Sequence, residues 1–151
     1  MRVNPNVRLL KRGAAFTSWV RWEERERMPC VDQPGVYLLA HFSKRPTGTA
    51  RATLKEIIYI GKTSRTFRKR WNEFNRSASH IGPEERRGHS AGRRYWRVHC
   101  GKIQNLWVAA CVTSKHEAAV LEKELISAFA SQWGRPPEFN WFRKSAEKSR
   151  A

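Results

Sequence analysis

Two phenols, Tyr37 and Tyr59, sit in neighbouring apolar runs at 35–42 and 54–60. If these runs are strands paired as a hairpin, both hydroxyls can reach one site at the sheet end, where phenols can carry a proton. Gly61 and Lys62 follow at once. The glycine lets the backbone turn sharply. A cation beside a phenol favours its ionised form, so its proton is lost more easily than the reference pKa of about 10 suggests. Further on, Arg68-Lys69-Arg70 offers guanidinium forks, which suit a bidentate grip on a phosphate and keep their charge throughout a reaction. Taken singly, each tyrosine also fits plain packing with a satisfied hydroxyl, and the basic run fits a solvated helix face.

The carboxylate follows from helical geometry. A helix over 114–133 places Ala118, Leu121, Leu125 and Phe129 on one apolar stripe, and Glu122 falls inside that face at about 100° per residue. Glu124 lies outside it, and Glu117 belongs to a capping box with Ser114. An acid among apolar neighbours is costly unless something pairs with it. A hard divalent cation such as Mg²⁺, completing its shell with water, would be such a partner, and an Arg or Lys salt bridge is the alternative.

These residues need a scaffold. Thr17 or Ser18 can cap a short helix over 17–28, with Trp19 and Trp22 on one face. Pro29 and Gln33-Pro34-Gly35 end it. Strands are expected at 35–42 and 54–60, a helix at 66–77 with Phe67, Trp71 and Phe74 on one stripe, and a buried strand over 106–112. The segment 79–101 is rich in Gly, His and Arg, has little periodicity and reads as a long basic loop. The last helix ends at Arg135-Pro136-Pro137. The expected fold is α/β: a small three-stranded antiparallel sheet flanked by helices, with an extra N-terminal helix and a long basic loop. Residues 1–34 form a basic arm and helix packed on the core, 35–141 the main domain and 142–151 a polar tail.

The 151 residues carry 30 Lys or Arg against 13 Asp or Glu, a net charge of +17. Twelve of the cations and only three acids lie between Lys62 and Lys102. Such a field attracts polyanions, above all phosphate backbones. The chain is long enough for one domain, and a hydrophobic fraction of 40% supports a core, which argues against wholesale disorder. No apolar stretch approaches the roughly 20 residues of a membrane span, and no apolar region after the first Arg suggests a secretory signal. Cys30, Cys100 and Cys111 form no CxxC pair, and with His80, His89, His99 and His116 they match no zinc spacing. A reducing, cytoplasmic setting is expected.

Gly35-Val36-Tyr37, Tyr59-Ile60-Gly61-Lys62, Arg70-Trp71, Glu122-x-x-Leu125-Ile126 and Pro137-Glu138-Phe139-Asn140 follow one another in an order that resembles the GIY-YIG nuclease family. The resemblance covers about 35–140, with Val in place of Ile in the first element. It implies a metal-dependent endonuclease acting on DNA, duplex or single-stranded, with Mg²⁺ or Mn²⁺ on Glu122. It selects Arg70 from the basic run, because Trp71 follows it, with Arg68 as runner-up. It also implies that Tyr37 or Tyr59 accepts a proton from the attacking water, that Arg70 and Lys62 offset phosphoryl charge, and that Asn140 supports the site by hydrogen bonds. Some members carry a His four residues after the Arg. That position is Phe74 here, which shifts the burden to the tyrosines and Lys62.

Many relatives attach a separate DNA-binding domain. Here contacts to DNA are expected from Arg68, Lys69, Arg86, Arg87, His89, Arg93, Arg94 and Arg97. A restriction-like role would require two copies to cut both strands, hence a homodimer, while repair, mobile-element and single-strand-specific roles stay open. The alternative is a non-catalytic nucleic-acid-binding protein on a nuclease-like scaffold, which would have no reason to keep Glu122 facing inward near an anion.

Overall fold

In a computed structural model, which describes residues 15–79, 89–99 and 102–140, the three expected strands are present and a fourth joins them. They are β1 (Val20–Arg21), β2 (Gly35–His41), β3 (Ile57–Thr63) and β4 (Leu106–Val112). The spatial order is β1-β4-β2-β3, antiparallel throughout. The sheet is therefore four-stranded rather than three-stranded. Without β1, the outer edge of β4 would expose unpaired N–H and C=O groups. Val20 pairs with Val108 and Arg21 with Trp107, while the Ala110 amide donates to Thr17 Oγ1 at 3.1 Å.

That pairing overrides the helical reading of 17–28. Only Trp22–Arg27 coils, as a 3₁₀ helix, and Thr17 caps nothing. Trp19 and Trp22, expected on one face, pack into different cores on opposite sides of the sheet. Trp22 is fully buried; its indole N–H donates to Asn75 at 2.8 Å, and Arg25 lies over its ring at 4.5 Å.

Helix α1 (Phe67–Ser79) buries Phe67, Trp71 and Phe74, as its spacing requires. Its first amides are satisfied from outside: Phe67 N–H donates to Gln33 C=O, Arg68 N–H to Val31 C=O, and Lys69 N–H to Thr66 Oγ1. The turn before β2 is thus tied to α1. Helix α2 (Ser90–His99) occupies part of the stretch expected to be loop. Its buried face is Ala91, Gly92 and Tyr95, a stripe too small and mixed to register as hydrophobic periodicity. A Cβ on Gly92 would come within 2.8 Å of Phe74 O and Ser77 Cβ, so α1 and α2 approach at a distance only glycine permits. Helix α3 (Lys115–Trp133) behaves as expected. Ser114 caps it by accepting the Glu117 amide at 3.2 Å, and Ala118, Leu121, Leu125 and Phe129 are buried. It stops at Gly134 in the left-handed conformation, before the prolines are reached.

The sheet separates two cores. Tyr37, Leu39 and Tyr59 face α1 and α2; Val36, Leu38 and Ile60 face α3. Near the far end of β2, His41 Nε2–H donates to Tyr95 Oη at 2.9 Å, since the Tyr95 hydroxyl itself donates to Lys102 C=O. Burial, and secondarily the charge of His99, lower the His41 pKa from 6.5 to about 4. The unfolded chain therefore takes up a proton that the folded chain refuses. The contribution of this group is fully present above pH 6.5 and is lost as the pH falls toward about 4, with buried His89 and half-buried His99 adding to the slope in the same direction. Melting temperatures measured across this window should fall, and His41→Gln, which cannot titrate, should flatten the profile. Parallel profiles for the two proteins would remove His41 from the account.

Candidate active site

The site forms where β2 and β3 lie side by side. Tyr37 stands directly opposite Gly61, and Leu39 opposite Tyr59, so both phenols emerge on the face covered by α1. Gly61 does not turn the chain as expected; it lies within β3. Its contribution is the missing side chain, because a Cβ there would come within 2.6 Å of Tyr37 Cζ, Tyr37 Oη and Tyr59 Cε1. The two phenol rings are 6.0 Å apart, and Phe67 and Trp71 meet the Tyr37 ring edge-on at 6.3 and 6.0 Å. Tyr37 is completely buried and Tyr59 nearly so.

Arg70 reaches this pair from the first turns of α1. Its Nη1 donates to Glu73 Oε2 at 3.1 Å, and Glu73 also accepts from Arg65. Glu73 thus clamps two guanidinium groups, and the i, i+3 spacing from Arg70 was the sequence signal for it. Burial works against the Glu73 charge, but the hydrogen bonds from Arg65 and Arg70 outweigh it and lower its pKa. Glu122 lies partly exposed beside the buried stripe of α3, across the sheet from the tyrosines. Its charge nevertheless acts on Tyr37, as do those of Tyr59 and Arg70. Because β3 is the edge strand, the two faces communicate around it.

The electrostatics differ from expectation at Tyr37. Its pKa is raised well above the usual value, first by burial, then by Tyr59, with Glu122 adding; the charge of Arg70 opposes the shift without cancelling it. Lys62, expected beside the phenols, pairs with Val36 and so belongs to the opposite side of the strand, where it is exposed. The cation that acts on Tyr37 is Arg70. Lys62 instead joins Arg65, Arg70 and Lys115 around a cleft of about 240 Å³ that Thr63 and Ser64 also line. Lys115 and Arg65 were not among the expected residues, because nothing local shows that the start of α3 and the end of β3 share a cleft.

Asn140 completes the frame. Its Nδ2 donates to Ile60 C=O and its Oδ1 accepts from Ile60 N–H, both at 2.9 Å. The side chain pairs with the β3 edge like a strand residue, one position before Gly61.

The expected DNA contacts divide. Lys69 and Arg97 are exposed and Arg93 is half-buried. Arg68 donates to Asp32 at 3.0 and 3.4 Å, bracing α1 against the turn before β2. Arg94 donates to Phe139 C=O at 2.6 Å, tying α2 to the segment that carries Asn140. Arg86 and Arg87 lie outside the described residues. His89, expected among the DNA contacts, is only 2% exposed and stands 3.1 Å from Tyr37 Oη. An imidazole therefore reaches the tyrosines from the start of α2, although α1 carries Phe74 in its place.

Among the described residues no group of three or more His, Cys, Asp or Glu could hold a metal ion. Such a site does not suit zinc, which takes three or four protein ligands. Mg²⁺ asks less of the protein, because it keeps most of its water and binds through one or two carboxylates and substrate phosphate. Glu122 is the residue that would hold it.

No curated protein and no solved structure matches the chain significantly. A family model described as GIY-YIG domain-containing protein matches residues 18–147. The match covers most of the chain, which belongs to the GIY-YIG domain family, with its nuclease-type fold.

Proposed function

We propose that this chain is a metal-dependent endonuclease that hydrolyses phosphodiester bonds in DNA. The observation that carries the reading is the convergence on Tyr37 of the charges of Tyr59, Arg70 and Glu122, the four residues coming from four different elements. The adjoining cleft, with four cations on its walls, has the size and charge for a phosphodiester.

In this reading a water attacks phosphorus, and its proton passes to a phenol of the tyrosine pair, which hands its own proton on toward solvent; Tyr59 is the less buried of the two. The new P–O bond forms as the bond to the 3′ oxygen breaks, leaving a 5′-phosphate and a 3′-hydroxyl. Arg70, oriented by Glu73, offsets the charge growing on the phosphoryl oxygens. Lys62 and Lys115 hold the flanking backbone, and Lys69, Arg93 and Arg97 extend the cationic surface. Glu122 would hold a Mg²⁺ or Mn²⁺ ion, which would supply positive charge to stabilise the departing oxygen. Asn140 keeps the β3 edge, and with it Tyr59 and Gly61, in register.

The test is cleavage of single-stranded, duplex and branched DNA with and without Mg²⁺ or Mn²⁺, followed by sequencing of the ends. Metal-dependent cutting that leaves ligatable 5′-phosphate ends is the expected result. DNA binding without cleavage of any substrate under either metal would favour the non-catalytic binding protein. Duplex cutting would call for two copies, and sedimentation of the DNA complex reads that directly.

A further inference from the structure

His89 precedes the first turn of α2 and takes the N-cap position. Its Nδ1 accepts the Gly92 amide at 3.4 Å, and its own amide donates to Ser77 Oγ at 2.8 Å. A neutral imidazole whose Nδ1 accepts must carry its proton on Nε2. Burial, then Arg70, Arg94 and Arg93, keep the ring neutral by holding its pKa well below the usual value. Its Nε2 lies 3.1 Å from Tyr37 Oη, so the ring is the donor and the phenol oxygen the acceptor. The positive charge of Arg70 acts on the same phenol.

The ring has little freedom to do otherwise. Phe74 meets it edge-on at 5.3 Å and Tyr59 at 5.7 Å, and the close approach at Gly92 sets the height of α2 against α1.

We infer that His89 is a positioning residue for the reaction: a neutral imidazole, held in its Nε2–H form by the first turn of α2, that donates to Tyr37 Oη and fixes the orientation of that hydroxyl. The catalytic part of this inference rests on the nuclease reading above; the hydrogen-bond part does not. The His89 donor and the nearby charge of Arg70 also favour the phenolate, against the burial that resists it.

The experiment has two arms on the intact chain. ¹⁵N NMR of the His89 ring reports the tautomer whether or not the protein cuts DNA; an Nε2–H ring is expected, and an Nδ1–H ring would overturn the inference. The second arm compares His89→Asn with His89→Gln. Asn places its amide where Nδ1 sits, so it keeps the α2 cap and loses the donor to Tyr37. Gln reaches the Nε2 position and keeps the donor at the expense of the cap. His89→Asn should hold its melting temperature and lose about tenfold to a hundredfold in kcat with KM little changed. His89→Gln should melt earlier but retain most of its kcat. Full activity in His89→Asn, or equal loss in both variants, would reduce His89 to a structural cap while leaving the nuclease assignment standing. A wild-type chain that cuts no DNA would instead sink that assignment and the catalytic part of this inference with it.

Discussion

Glu122→Gln is expected to slow DNA cleavage by about a thousandfold or more while leaving DNA affinity close to wild type. The two effects separate for physical reasons. Charge stabilisation of a leaving oxygen by a bound ion is worth several kcal/mol, and each 1.36 kcal/mol is about a factor of ten in rate. DNA affinity depends instead on the surplus of cations, and removing one negative charge from a chain of net charge +17 does not weaken it. The fold should tolerate the change, because Gln has nearly the same shape and the residue lies at the edge of the buried stripe rather than within it. Since Glu122 raises the proton affinity of Tyr37, the neutral variant should also release the Tyr37 proton more easily. Initial rates with Mg²⁺ and binding isotherms without it, on the same DNA, decide the matter. Cleavage at the wild-type rate would exclude Glu122 from the reaction.

Gly61→Ala should be nearly as damaging by a different route. One methyl group placed 2.6 Å from Tyr37 Cζ and Oη and from Tyr59 Cε1 must displace something, and the Tyr37 ring is hemmed in by Phe67, Trp71 and Tyr59. Overpacking of this kind costs about 1–3 kcal/mol of stability. Activity should fall further than that loss accounts for, because the displaced atoms are the phenols themselves. Tyr37→Phe removes one of the three contacted atoms, so Gly61→Ala should cost less stability in that background than in wild type. Strictly additive melting shifts across the four proteins would mean that the methyl finds room elsewhere.

Gly61 also shows how a residue can be picked out correctly for a reason that does not hold. Its position after Tyr59 was legible, and a turn was the natural reading of a glycine followed by a lysine. In the folded chain it is an ordinary strand residue facing a phenol that lies 24 positions earlier, and only that cross-strand pairing gives its missing side chain a purpose. His89 is a second such residue. In a stretch crowded with arginine it reads as part of a basic loop, yet its ring bonds to Tyr37 across 52 positions. The N-terminal tryptophans fail in the opposite sense, because their helical spacing is real but the free edge of β4 captures the segment first.

What the amino-acid order determined alone was whatever depends on near neighbours along the chain. This includes the β4 run, the Ser114 cap, the buried stripe of α3 with Glu122 beside it, and the succession of tyrosines, arginine, carboxylate and asparagine. The tertiary structure decided what depends on atoms brought together from afar. It buried Tyr37 and so raised its pKa, substituted Arg70 for Lys62 as the cation beside it, closed a cleft with Lys115, and turned His89 inward. Periodicity and capping are short-range and leave a local trace. Desolvation, the pairing of charges and the space available to a side chain exist only once the sheet and its helices have closed around them.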